Sequence, residues 1–258
     1  MNNSSGVKEE QMLLASVEDK FRRASENYMM TSTGFLNMHQ RTLVTELWKK
    51  IGRGQGEIRL EFVGGYEDAE RTVACFVPDY EENPEAPICV IRVNPPSGGR
   101  ALTHRDYLGS LTGLGLKRDV IGDILVDEDS ADIVVLNEIS DFIIMNYSKA
   151  GRTSFHVELK DIEEIKIPEL RTKEIKDTVA SLRVDSVVSS AFGMSRSNAA
   201  EAVRKGLVYV NSMQILKTDM QVNEDDRIVL RGKGKACLKE VGSQTRKGRI
   251  FILIERYI

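Results

Sequence analysis

Arg183 and Asp185, then Ser195 and Arg196, and beyond them Arg204, Lys205, Asn211 and Lys217, are the side chains in this sequence whose types and spacing imply a chemistry. That chemistry is the holding of phosphate rather than the making or breaking of bonds. A guanidinium can donate two parallel hydrogen bonds to a phosphate. Placed at the first turn of a helix, as Arg196 is expected to be, it adds to unpaired N–H groups and a dipole end that already favour an anion. For any one of these residues the alternative is an ordinary solvated charge. Their concentration on one short segment gives the group its weight.

Two short helices and a hairpin must position them. Val184, Val187, Val188 and Ala191 fall at i, i+3, i+4, i+7, one buried face of a helix that Gly193 stops. Ser195 is placed to cap a second helix, with Ala199, Ala202 and Val203 as its apolar face and Gly206 at its end. Leu207 to Val210 and Met213 to Leu216 then read as extended runs around the turn pair Asn211 and Ser212.

The order of these residues carries a resemblance. Arg183, Asp185, Gly193, Ser195, Arg196, Ala199, Gly206, Val208, Val210 and Asn211 match the pattern of the small RNA-binding domain named after the fourth small-subunit ribosomal protein, the S-four domain. Three positions depart from it. Val184 stands for the usual Leu, Ser212 for the Gly of a V-N-G turn, and Asp225 with Asp226 for Gly-Asp. None of these removes a phosphate-binding residue. A non-glycine residue at Ser212 should cost about 1 kcal/mol if the turn needs positive φ.

Charge is polarised in the same direction. The chain has 258 residues, with 36 Lys and Arg against 39 Asp and Glu. From Leu170 to the end there are 17 basic and 10 acidic residues, a balance of +7, whereas residues 1–169 carry 19 and 29, or −10. Such a chain binds polyanions through its basic end by counterion release. Hydrophobic content of 41% is enough for two or three small cores. Cys75, Cys89 and Cys237 are odd in number and widely spaced, which argues against a disulfide framework or a thiolate zinc site. No basic segment followed by an apolar core opens the sequence, and no run nears the roughly 20 apolar residues of a membrane span. The expectation is a cytoplasmic, monomeric protein without cofactor or membrane contact.

Along the rest of the chain the reading is α+β. Leu14, Val17, Phe21, Ala24 and Tyr28 share a helical face, and Asn37 with Gln40 suggests a capping box opening a helix through Leu43, Leu47 and Ile51, with Trp48 as a packing anchor. Gly52 to Gly56 reads as a linker. Strands are expected at 58–63, 71–76 and 88–93, a helix opened by Thr103 and Asp106, strands at 121–126 and 133–136, a helix capped by Asn137, and a strand at 155–159. This order suggests an open sheet with helices on one face, like the sheets that bind single-stranded RNA. Lys117 and Arg118 either add a second RNA contact from this region or are solvated charges. A last strand pair, 236–241 with 249–258, joined by a basic 242–248 loop, is expected to approach phosphate. The domains expected are 1–80, N-terminal helices and strands; 81–165, an RNA-recognition-like α/β sandwich; and 170–258, an S-four-type domain with core motif 183–231 and an added β-hairpin.

His104, Arg105 and Asp106 invite an enzymatic reading, because kinase catalytic loops and pseudouridine synthases use related triplets. The glycine-rich loop, strand lysine and D-F-G segment of a kinase are missing. The synthases place Leu before Asp and put their S-four unit first, whereas here it comes last. His39, His104 and His156 have no ligand spacing, and no nucleophile with its base is evident. The segment from Leu102 to Val126, L-T-H-R-D-Y-L-G-S-L-T-G-L-G-L-K-R-D-V-I-G-D-I-L-V, instead resembles the YlmH family of bacterial proteins. That resemblance runs from about Gly34 onward. It implies a non-enzymatic protein that binds the large ribosomal subunit with its rRNA and a stalled peptidyl-tRNA, in rescue or quality control. Relatives are also linked to cell division. The alternatives are an RNA-modifying enzyme with an atypical site and a division-associated scaffold.

Overall fold

The structure, a computed structural model, describes residues 3–52, 58–96, 98, 100–168 and 172–258. Residues 53–56 of the expected linker lie outside them. Helices and strands are mixed, an α+β fold, in two compact units, Met1–Pro168 and Glu169–Ile258.

In the first unit, α1 (Asn3–Asn27) and α2 (Met38–Ile51) pack on one face of an antiparallel sheet of β1 (Thr31–Ser32), β2 (Ile58–Val63) and β3 (Val73–Pro78), in the order β1-β3-β2. The capping box is present: Asn37 Oδ1 accepts from the Gln40 N–H at 3.0 Å, and Gln40 Oε1 accepts from the Asn37 N–H at 2.9 Å. Trp48 is a packing anchor, its ring 5.3 Å from Phe21 and 5.8 Å from Phe76 between centroids. Tyr28 does not continue the helical face. It lies past the end of α1 at φ 51° and is exposed.

The second sheet is formed by β4 (Ile88–Asn94), β5 (Ile121–Val126), β6 (Ala131–Leu136) and, after the two-stranded ribbon β7 (Lys149–Ala150) and β8 (Thr153–Ser154), β9 (His156–Lys160). Its order is β5-β6-β4-β9, antiparallel throughout. Ile91, Val93, Ile133 and Val135 point to one face, against Tyr107 and Leu111 of α3 (His104–Gly113) and Ile143 of α4 (Ser140–Asn146). The opposite face is not open. Ile88, Val134 and Leu136 pack against Phe35 and against Val73, Cys75 and Val77 of β3. The expectation of an open sheet with helices on one face only is therefore corrected: the face that sheets binding single-stranded RNA leave exposed is covered in this one. Here the face is aliphatic and sealed by a second sheet. The same face holds the Arg92 and Asp132 ion pair, bonded at 2.8 and 2.7 Å. Asn137 does not cap α4. Its amide donates to the Ala86 carbonyl at 3.0 Å and it opens a 3-10 turn, from which α4 starts without a side-chain cap.

The second unit is a six-stranded antiparallel sheet with two helices on one face. Its elements are β10 (Thr172–Val179), α5 (Val184–Phe192), α6 (Arg196–Arg204), β11 (Val208–Val210), β12 (Met213–Ile215), β13 (Arg227–Leu230), β14 (Gly234–Gln244) and β15 (Ile250–Tyr257), with strand order β10-β15-β14-β13-β11-β12. Val184, Val187, Val188 and Ala191 are fully buried, the face their spacing specified, and Ala199 and Val203 of α6 join the same core. Gly193 ends α5 in the left-handed conformation at φ 60°. The reading of the sequence contained neither β10, which pairs along its whole length with β15, nor β13.

The hairpin turn between β11 and β12 has Asn211 at φ 47° and Ser212 at φ 65°, the two positive values of a type I′ connection. Asp225, the other departure from the glycine pattern, also lies at positive φ, 63°. Ser212→Gly is therefore expected to raise stability by about 1 kcal/mol, read as a higher urea midpoint with unchanged slope. An unchanged midpoint would show that the turn carries no such strain.

Candidate nucleic-acid interface

Arg183 is the residue before α5, and Val184 N–H donates to the Met220 carbonyl at 2.8 Å, which fixes the chain where the arginine leaves it. Asp185, in the first turn of α5, is only 4% exposed. Its carboxylate accepts from Nε and Nη2 of Arg183 at 3.2 and 3.3 Å, and from Nε and Nη2 of Arg196 at 3.3 and 3.4 Å. Two guanidiniums thus share one buried carboxylate. Burial by itself pushes the Asp185 carboxyl up, but the two arginines outweigh it and hold its pKa below the usual carboxylate range. The pair stays ionised at physiological pH. The arginine side chains remain 34% and 50% exposed, and Nη1 of each has no protein acceptor among the described residues. The arrangement offers two outward donors of fixed orientation. Asp185, grouped from sequence with the RNA-contacting residues, is enclosed and can act only by holding the arginines.

The other candidates fall in different places. Ser195 is the cap of α6, its Oγ accepting from the Asn198 N–H at 3.2 Å. Arg204 and Lys205 lie at the opposite end of α6, about 12 Å along the axis from Arg196. Lys205 pairs with Glu201 at 2.6 Å. Asn211 is absorbed by the turn: its amide donates to Asp226 at 2.7 Å and its carbonyl accepts from the Arg227 N–H at 2.9 Å. Lys217 is exposed in the loop after β12. In the first unit, Lys117 is exposed at the entry to a short 3-10 turn, whereas Arg118 is partly enclosed and burial lowers its pKa. Arg118 Nη1 is buried with no hydrogen-bond partner among the described residues. The two residues therefore do not act as a pair.

Sequence reasoning missed two partners of the site. Arg249 was read as the first residue of the last strand, after a basic loop expected to approach phosphate, and its partner was not foreseen: it donates from Nε to Thr178 Oγ1 at 2.9 Å and from Nη2 to the Thr178 carbonyl, which ties it to the end of β10. Thr178 could not be placed because β10 was not foreseen. The His104 triplet also has a structural account: Thr103 caps α3, and its N–H and hydroxyl donate to Asp106 at 2.8 and 2.7 Å. Burial pushes the Cys75 thiol up to about 12 and Cys89 up to about 11, and also raises Cys237, so none is a thiolate nucleophile at neutral pH.

Residues 82–164 match the model of a family described as the putative RNA-binding domain in YlmH. Over 251 residues, 96% of each chain, the sequence is 30% identical to ribosome-associated protein quality control protein P2 of Bacillus subtilis (strain 168). Among solved structures, the cell division protein ylmH from Streptococcus pneumoniae is similar at 26% identity, with 61% of this chain and 95% of that chain covered and a TM-score of 0.49.

Proposed function

We propose that this chain, which belongs to the YlmH family of RNA-binding proteins, is a non-enzymatic ribosome-associated factor that holds ribosomal RNA on the large subunit, beside a peptidyl-tRNA, through an S-four-type module at residues 183–231. The observation that carries the reading is the buried Asp185 carboxylate holding Arg183 and Arg196 with one terminal nitrogen of each free. Phosphate contacts of this kind fix position on structured RNA and read little sequence. The +7 balance of the C-terminal third adds the long-range attraction. A role in ribosome quality control is favoured by the name of the Bacillus relative, which spans nearly the whole chain. Lys117 and Lys217 are secondary contacts in this proposal, and Arg204 with Lys205 meets phosphate at the far end of α6.

Purified large subunits titrated with the chain at increasing salt test it. Binding should be tight at low salt and fall steeply as salt rises. Chain that fails to bind large subunits at low salt would overturn the proposal.

Asp185→Asn gives a result with an opposite sign under a simple charge argument. The substitution raises net charge by one, so charge alone calls for tighter RNA binding. We expect binding about tenfold weaker, because a single neutral amide oxygen replaces the two charged oxygens that orient both arginines, and the new NH2 group cannot accept from either guanidinium. Equal or tighter binding would mean that orientation contributes nothing.

A further inference from the structure

A crevice of about 440 Å³ lies beside the arginine pair, between the start of α6 and the strand pair β10 and β15. Arg196 and Arg249 both line it, each already held by a protein acceptor, Asp185 for one and Thr178 for the other. For Arg249, as for Arg196, hydrogen bonds use Nε and Nη2 and leave Nη1. Two oriented guanidiniums from distant parts of the chain therefore face one space.

The lining between them has the opposite hydrogen-bond character. Ser190 Oγ donates to Asp177 Oδ2 at 2.7 Å and Ser189 Oγ donates to the Met194 carbonyl at 2.6 Å, so both hydroxyls have spent their proton and present lone pairs. Asp177 Oδ1 accepts from the Thr178 N–H at 2.7 Å, so each of its oxygens holds one donor and keeps room for another. A carboxylate beside two arginines is poorly suited to a bare polyanion. It suits a ligand that brings phosphate oxygens and a hydroxyl donor together. A ribonucleotide does so, through its phosphodiester and 2′-hydroxyl, and a deoxyribonucleotide lacks the second group.

We infer that this crevice is a ribonucleotide subsite, in which Arg196 and Arg249 hold one phosphodiester and Asp177 accepts the 2′-hydroxyl. The inference rests on the RNA-binding reading given above and extends its footprint beyond the 183–231 module to β10 and β15.

Two measurements test it on the full chain. In the first, Arg249→Gln is titrated against purified large subunits, with an Arg246→Gln, Lys247→Gln chain as the control for charge on the neighbouring turn. Arg249→Gln should weaken binding about tenfold and lower the salt slope by about one, and the control should lose less. In the second, a strand of about ten ribonucleotides and the DNA strand of the same sequence are compared. The parent should prefer RNA about tenfold, and Asp177→Ala should lose most of that preference while Asp177→Asn, which keeps an acceptor, retains part of it. Arg249→Gln binding like the parent, the control losing as much as Arg249→Gln, or Asp177→Ala keeping the parent's preference would each overturn the subsite. If the parent itself ignores large subunits, the reading in the preceding section fails. If the parent binds and Arg196→Gln weakens it while Arg249→Gln does not, only the subsite fails.

Discussion

The chain carrying Arg183→Gln and Arg196→Gln is expected to bind purified large subunits roughly 100-fold more weakly than the parent at physiological salt, with the slope of log affinity against log salt shallower by about two. Both expectations come from the same geometry. Each arginine presents a free terminal nitrogen outward, and each is oriented by Asp185 before RNA arrives, so no ordering of a long side chain is needed on binding. The double variant has one structural liability, because it leaves the enclosed Asp185 without its partners. Adding Asp185→Asn removes that charge and keeps an amide of the same shape. The triple variant should therefore melt like the parent and bind as weakly as the double. A folded triple variant with parental affinity would remove these arginines from the interface.

The largest expected effect on stability lies in the first unit. Asp132 is 1% exposed on the covered face of its sheet. It takes both hydrogen bonds of the Arg92 fork and also accepts the Lys166 N–H at 2.7 Å, while Arg92 reaches the Glu164 carbonyl at 2.7 Å. Asp132→Ala removes the acceptors and leaves the Arg92 charge nearly enclosed. The expected cost is about 3–5 kcal/mol, which for a unit of this size lowers the melting temperature by about 10 °C or more. Replacing both partners, Arg92→Met with Asp132→Leu, should recover most of that loss, since a buried pair often contributes little over a well-packed apolar substitute. Equal losses in the single and double variants would contradict this account. Because the arginine pair of the proposed interface belongs to the other unit, subunit binding measured below the melting transition should be nearly unchanged by either variant.

Local rules made much of the second unit legible. The spacing of Val184, Val187, Val188 and Ala191 gave α5 its buried face, and Ser195 before Arg196 marked the cap of α6. The capping boxes at Asn37 and Thr103 were equally local. What escaped was non-local or two-sided. The sequence of β10 alternates charge with little apolar character, and its pairing with β15 joins segments far apart in the chain, so no window of residues contained the signal. The covered sheet face did leave a trace. Ile88, Cys89, Val90, Ile91 and Val93 form a nearly continuous apolar run rather than an alternating one, the pattern of a strand buried on both sides. Weighting that run over the order of elements would have closed the sheet. Asp185 was legible as part of a motif but not in its role, because only the fold brings Arg196 across to the carboxylate that Arg183 already holds. Asn211 shows the reverse case: its residue type suits a tight turn, and the turn consumes its hydrogen bonds.

Ultraviolet cross-linking of the parent chain to purified large subunits, followed by mass analysis of the peptides joined to RNA, tests the central claim most directly. RNA-linked peptides should concentrate in residues 183–205, with further links near Arg249, while the covered sheet face formed by Ile88, Val134 and Leu136 gives none. RNA-linked peptides confined to residues 82–164, with none from 183–205, would contradict the claim that the arginine pair is the RNA contact.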